Sequence, residues 1–295
     1  MTKIISRIFG GLGNQLFCYA AARRLALVNN SELVLDDVSG FVRDHSFNRH
    51  YQLDHFSIPC RKATRAERLE PLSSVRRYIN RKINRWRPFE VRNYIQQEGV
   101  DFDKRILAVN PLGTVYLEGY WQSEQYFNDV EPMIRADLCF ISPKDKTNQS
   151  MAAHIRGCLA VAVHVRFFDT PLENGGNNTP EHYYERAIAK MEILLPDAHY
   201  FVFSDMPDSA RARIPLPSER ITMVTHNQGD ESAYADLWLM TQCKHFIIAN
   251  STFSWWGAWL STFRSKVIIA PNPKLMDKGS YWRTIGILPE NWLHL

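Results

Sequence analysis

The sequence predicts an α/β protein built on parallel, doubly wound sheets, and three observations carry that expectation. Between residues 159 and 270, short apolar runs alternate with amphipathic segments of helical spacing. Those apolar runs end in polar residues, at the carboxyl edge where such a sheet presents its ligand. The chain also opens with an apolar run, a Gly-rich turn, a helical pattern and a second apolar run. At 295 residues it is long enough for one large domain or two of ordinary size.

Composition narrows the class. With 45% hydrophobic and 22% charged residues it reads as a soluble globular protein. A net charge of +4 is too modest to argue for a nucleic-acid partner. The five cysteines are scattered, odd in number and without a C-x-x-C pair, which speaks against a disulfide framework or a zinc site. The first seven residues hold no signal-like apolar region, and no 18-residue apolar run occurs. A cytoplasmic protein without a membrane span is the expectation.

Taken in order, Lys3 to Phe9 is the first expected strand, Leu16 to Val28 the first helix, and Glu32 to Leu35 the second strand, ending in Asp36-Asp37. Gly10-Gly11-Leu12-Gly13 between them invites a dinucleotide reading. The third glycine of that fingerprint would fall at Leu16, where close helix–strand packing wants Gly or Ala, so the motif is incomplete. What remains is a tight turn beside a helix N-terminus, with Asn14 and Gln15 as polar handles.

Arg61 to Arg92 holds 11 of the 35 Lys and Arg residues against three acids. Val75, Ile79, Ile83 and Trp86 recur every three or four positions within it, which predicts an amphipathic basic helix. A solvated helical face is the plainer account. Attraction to an anionic surface, a membrane leaflet or a phosphate-bearing acceptor, is the sharper one.

Asp101-Phe102-Asp103 is a D-x-D, but it precedes a Lys-Arg pair and ends no apolar strand, so it reads as loop surface. Val115 to Phe127 combines a strand with an aromatic, polar corner. Tyr120, Trp121 and Gln122 there suit a pyranose ring, and equally suit ordinary core and turn. Ser142 to Ser150 is polar and serves as the candidate linker.

In the second half the expected strands are Leu159 to Val165, Tyr200 to Phe203, Ile221 to Val224, Phe246 to Ala249 and Val267 to Ala270. The helices are Pro180 to Leu194, Glu231 to Cys243 and Ser254 to Phe263. His164 and Arg166 stand two apart at the first strand end and so share a face. Ser204-Asp205, His226-Asn227 and Asn250-Ser251-Thr252 end the next three. The last runs into Phe253-Ser254 and three tryptophans, a strand-to-helix turn that offers N–H groups and hydroxyls to an anion. Each has a bland reading too: Arg166–Asp169 as a salt bridge, Asp205 or Ser251 or Ser254 as a cap. Their gathering on one rim favours a ligand.

Gly10 to Ala20, His164-Val165-Arg166, Phe203-Ser204-Asp205 and Asn250 to Ala258 occur in that order. Together they resemble the motifs of the bacterial α-1,2-fucosyltransferases of glycosyltransferase family 11, and Glu118 to Phe127 is similar to that family's middle segment. The family's usual His-Val-Arg-Arg-Gly-Asp is departed from here, where Phe167 and Phe168 replace Arg-Gly.

The resemblance implies a GT-B-like fold, two Rossmann-like domains facing a cleft. It divides the chain into an acceptor-side domain (1–141, with a basic helical insertion at about 61–92), a linker (142–153), a GDP-sugar-binding domain (154–275) and a tail packing back (276–295). It further implies inverting, metal-independent transfer from GDP-β-L-fucose to the 2-hydroxyl of a galactosyl acceptor, within bacterial oligosaccharide or O-antigen assembly. Without a metal, fixed donors must neutralise the leaving diphosphate.

Arg166 suits a bidentate phosphate contact, with Ser204, Asn250, Ser251, Thr252 and Ser254 on the same rim, and Gly11, Gly13 and Asn14 from the other domain. Asp236 resembles the family's guanine-binding position, and Asp205 is a second candidate for guanosine. Catalytic candidates are Arg166 and Asn14, with His164, Asp169 and Glu118 open as the base and a departing phosphate oxygen as the alternative. Tyr120, Trp121 and Gln122 are the acceptor candidates. The expected partners are a GDP-sugar and a galactose-terminated oligosaccharide, lipid-linked or free. The basic helix is a candidate for peripheral contact at the inner membrane face. A same-fold transferase with another linkage or nucleotide sugar, and a non-catalytic nucleotide- or glycan-binding module, are the rival readings.

Overall fold

The structure is a computed structural model that describes residues 2–45, 47–168, 178–276, 280, 282–284 and 286–295. The chain divides into two compact units, Met1–Ile141 and Ser142–Leu295.

In the first unit, β1 (Lys3–Arg7), α1 (Leu12–Val28), β2 (Glu32–Asp36), β3 (Arg61–Lys62), α2 (Ser73–Arg85), β4 (Tyr94–Gln96), β5 (Thr114–Glu118) and α3 (Glu131–Asp137) follow one another. The strands form one parallel sheet in the order β3-β2-β1-β5-β4. Successive residues Ile4 and Ile5 are both buried, as expected of a strand covered on both faces. Helix α1 is buried almost all round through Leu16, Phe17, Tyr19, Ala20 and Leu25. The strand order turns back between β1 and β5, which makes their carboxyl ends this sheet's switch point.

The second unit begins with α4 (Lys146–Arg156), followed by β6 (Ala160–Val165), α5 (Glu181–Leu194), β7 (His199–Ser204), α6 (Pro207–Ala212), β8 (Ile221–Val224), α7 (Ala233–Gln242), β9 (His245–Ile247), α8 (Thr252–Leu260), β10 (Ile268–Ala270) and β11 (Leu293–His294). Its sheet is again parallel throughout, in the order β11-β10-β9-β6-β7-β8, with the switch point between β6 and β9. Val161, Val163, Tyr200, Val202 and Ile247 from the strands pack with Tyr184, Ile188 and Met191 of α5. Trp255 and Trp256 of α8 are fully buried, with ring centroids 5.0 Å apart. Alanine at either would cost about 3–5 kcal/mol.

The expected linker is corrected here. Asp145 caps a helix by accepting from the N–H of Asn148 at 2.8 Å, and Asn148, Ala152 and Ile155 are buried. The polar tract is therefore the entry into the second unit's first helix. In the tail, β11 adds an edge strand beside β10. Asp101-Phe102-Asp103 ends in a capping turn, where Asp103 pairs with Arg105 at 2.7 Å.

Candidate active site

Strand β6 delivers Arg166 to the second unit's switch point. Its register on β7 pairs Val165 with Ser204, so the next step sets Arg166 beside Asp205. Arg166 Nη1 donates to Asp205 Oδ2 at 2.9 Å, and Asp205 Oδ1 accepts from the Phe167 N–H at 3.2 Å. Both charged side chains are a little over a quarter exposed (28% and 29%), which leaves them open to a ligand. A guanidinium carries donors on all three nitrogens, so the contact with Asp205 fixes its orientation without using its capacity. Phe168 lies under the guanidinium, with the charge 5.4 Å from its ring centroid. Phe168 thus contributes a stacking face where the family's usual motif carries a glycine, while Phe167 is buried beneath the Arg213 guanidinium at 4.6 Å.

On the other side, Val161 to Val163 of β6 pair with His245 to Ile247 of β9, the strand that leads into the Asn250–Ser251 turn. His164 reaches the first turn of α8, its ring 5.5 Å from that of Phe253. Helix α8 is capped by Ser251, whose Oγ accepts from the Phe253 N–H at 3.3 Å. Ser254 is fully buried and its hydroxyl donates to the Ser251 carbonyl at 3.2 Å. Asn250 is also fully buried, and its Oδ1 accepts from Thr179 Oγ1 at 2.7 Å. These three side chains hold the turn together. What the turn can offer an anion is the backbone N–H dipole of the helix start, with half-buried Thr252 on its first turn.

At the carboxyl end of β8, Asn227 Nδ2 donates to Asp236 Oδ1 at 2.8 Å, and Asn227 exchanges hydrogen bonds with Asn148 at 2.9 and 3.0 Å. Burial pushes the Asp236 carboxyl up to about 7, with the Asn227 bond acting the other way. Ser204 accepts from the Met206 N–H at 3.1 Å, which shapes the turn after β7.

The expected bases fare unequally. Burial, with Arg166 nearby, pushes His164 down to about 3, and its Nδ1 is buried with no hydrogen-bond partner among the described residues. An imidazole that resists protonation this strongly is a poor proton acceptor. Burial acts to raise Glu118, but the Tyr94 hydroxyl, Arg7 and Arg81 outweigh it and hold the carboxyl below its usual range. Its oxygens accept from Arg7 at 2.7 Å, from Arg81 at 2.6 and 3.0 Å, and from Tyr94 at 2.5 Å. Glu118 is a structural tie. Asp169 lies outside the described residues.

In the first unit, Gly10 adopts φ +76°, and a Cβ there would stand 3.0 Å from both Asn14 Nδ2 and the Tyr120 hydroxyl. That close approach requires glycine. Gly11 caps α1 through its backbone, and Gly13 is buried in the helix's first turn. Gln15 clamps the turn, donating to the carbonyls of Gly10 and His50 at 2.9 and 2.7 Å. Asn14 Oδ1 accepts from Gln122 Nε2 at 2.8 Å.

The three acceptor candidates stand differently than expected. Trp121 is buried against Tyr126, and Tyr120 stacks on Phe9 at 4.4 Å. Gln97, which no sequence pattern singled out, orders this corner by accepting from the N–H groups of both Tyr120 and Trp121. An open depression of about 470 Å³, lined among others by Asp37, Phe41, Asp44, Arg49 and Tyr51, was likewise missed. Its residues come from an irregular stretch with no periodicity to mark it.

The fold is shared with solved fucosyltransferases. Fucosyltransferase NodZ from Bradyrhizobium matches with a TM-score of 0.51 and 16% identity, over 88% of this chain and 92% of that one. A mutant of Arabidopsis thaliana FUT1 in complex with GDP matches with a TM-score of 0.52 and 14% identity, over 90% and 70%. Two parallel-sheet α/β units with these likenesses define a GT-B-like fold. The sequence model described as glycosyl transferase family 11 matches residues 63–284. An O-antigen biosynthesis glycosyltransferase of Escherichia coli, WbnK, is 31% identical over 90% of this chain and 93% of its own length. An α-1,2-colitosyltransferase of Escherichia coli is 28% identical over 100% of this chain and 99% of its own. The chain belongs to glycosyl transferase family 11, whose members transfer sugars from nucleotide donors.

Proposed function

We propose that the protein transfers L-fucose from GDP-β-L-fucose to the 2-hydroxyl of a galactosyl acceptor, inverting the anomeric centre without a metal ion. The observation that carries the donor half is Arg166, held by Asp205 at the end of β6, the strand whose His164 reaches the first turn of α8. As the bond from C1 to the diphosphate breaks, negative charge grows on the leaving group, and a fixed guanidinium with a helix dipole stabilises it. Asp236 is the guanine contact. Its carboxylate can take two N–H groups of the base once ionised.

The acceptor oxygen bonds to C1 on the face opposite the diphosphate as the C1–O bond to phosphate breaks, and the hydroxyl proton reaches a diphosphate oxygen through a relay of water. Among the described candidates His164 and Glu118 are both poorly disposed to take the proton, which leaves this route, with Asp169 as the alternative. Asn14, Gly11 and Gly13 are proposed as further donor contacts on the strength of the sequence resemblance alone. The acceptor sugar is assigned to the depression beside Tyr51 and Asp44, since Trp121 is buried and Gln122 engaged.

A second reading has its own support. The full-length likeness to an α-1,2-colitosyltransferase favours the same linkage with colitose, which is L-fucose lacking its 3-hydroxyl. A site built to bond that hydroxyl rejects the deoxy sugar strongly, whereas one without such a contact does not. The GDP derivatives of both sugars, offered in EDTA with a panel of galactosides, separate the readings. GDP release from GDP-fucose with a 2-O-linked product supports the first, and turnover confined to GDP-colitose supports the second. Activity lost on chelation and restored by manganese would overturn both, as would tight GDP binding without turnover on any glycan.

A further inference from the structure

Helix α2 packs the wrong way round for a soluble protein. Its inward side is polar: Arg81 bonds Glu118, Arg77 lies 3.8 Å from Asp36, and Asn84 Oδ1 accepts from the N–H groups of Asn93 and Tyr94. These ties fix the helix's rotation. Its apolar residues therefore face outward: Leu72 (69% exposed), Val75, Tyr78, Ile79, Ile83 and Trp86 (89%). At 3.6 residues per turn they span an arc of about 140°.

Cations border that arc on both sides, Arg85 on one and Arg76 and Arg87 on the other, and Lys82 sits within it over the Tyr78 ring at 5.7 Å. The helix itself contains no acid. The stretch after β2 adds exposed Val42 and Arg43, and the Arg43 guanidinium reaches Ser74 Oγ at 3.4 Å. A soluble surface rarely keeps a contiguous apolar stripe of this kind uncovered.

We infer that this face docks on an anionic phospholipid surface. An apolar stripe with Trp and Tyr, bordered by Lys and Arg, is the composition that lies in a headgroup layer. Charge decides between occupants. A second copy would bring the same cations against themselves, which like-charge repulsion opposes. The inference is independent of which sugar the enzyme moves, since none of the α2 residues belongs to the proposed donor or acceptor machinery.

The full chain should co-sediment with vesicles of phosphatidylcholine and phosphatidylglycerol, weakly or not at all with phosphatidylcholine alone, and less as salt rises. Combining Ile79→Ser, Ile83→Ser and Trp86→Ser should weaken vesicle binding at least about tenfold while the melting temperature holds. Combining Arg76→Glu, Lys82→Glu and Arg85→Glu should do the same through charge. Trp86→Ser alone, at the most exposed site, keeps the test valid if a multiple variant fails to fold. Equal binding to neutral and anionic vesicles, no binding to either, or binding unchanged in these variants would overturn the inference. So would a dimer in sedimentation velocity that the apolar variants abolish, which would assign the face to a second copy.

Discussion

The two sheets reach the same topological device, a switch point at the carboxyl ends of two neighbouring strands, and spend it differently. At β1 and β5 the charged groups consume one another. Glu118, 8% exposed, is taken up by Arg7, Arg81 and Tyr94, and the result anchors α2. At the end of β6 the charges stay within reach of solvent, where Asp205, just past β7, orients Arg166, and both side chains are more than a quarter exposed. The lesson is that polar strand ends alone do not make a site. Burial and the number of partners decide whether a charge holds the fold or holds a substrate.

That contrast can be broken by mutation, and the largest effect belongs to the second switch point. Arg166→Ala should lower kcat by about 10²–10³, the cost of losing one preorganised donor, while the melting temperature stays near that of the parent. The steady-state rate and a thermal melt measure both halves.

The first switch point should respond in the opposite sense. Glu118→Gln should cost about 2 kcal/mol in denaturant unfolding, discounted from a fully buried pair because Arg7 and Arg81 are partly exposed. Glu118 has a depressed folded pKa, so its contribution is present above the ordinary glutamate value of about 4.3 and lost as pH falls below it. The gap between parent and variant should therefore close in acid.

A smaller effect sharpens the donor assignment. The raised pKa of Asp236, about 7, means that its carboxylate forms as pH rises through neutrality. GDP affinity should rise about tenfold between pH 6 and pH 8 if the ionised form binds guanine, and Asp236→Asn should abolish the slope. Because ionising this buried group costs stability above its unfolded value, the same variant should be neutral or stabilising at pH 8. Smallest of all, Ser251→Ala should cost about 1 kcal/mol of stability through the lost cap on α8.

Much of this was legible in the sequence because it is local. Strands β6 to β10 lie within a residue or two of their expected ends, since continuous apolar runs bounded by polar turns mark buried parallel strands, whereas the two-residue β11 was not expected. The Arg166 strand end and the Asn250–Ser251 turn were visible for the same reason. Helix α4 was missed because its tract is polar, although Asp145 with Asn148 three residues on is a capping signal.

What could not be read depends on distant partners. Glu118 looks like a candidate base until Arg7, Tyr94 and Arg81 are brought to it from 24 to 111 residues away. The apolar stripe of α2 was correctly periodic, but periodicity does not say which side faces inward. Buried Asp36 and Glu118 demand cations, and that demand sets the rotation. Trp121 likewise looked like a sugar platform and is core.

The central claim is that Arg166 and the start of α8 hold a diphosphate without a metal. Titrating GDP into the parent and Arg166→Ala by calorimetry, each in EDTA, tests it directly. Binding that persists in the parent under chelation and weakens at least about tenfold in the variant is the predicted result. Equal affinity in the two proteins, or a parent that binds only when a divalent cation is added, would contradict it.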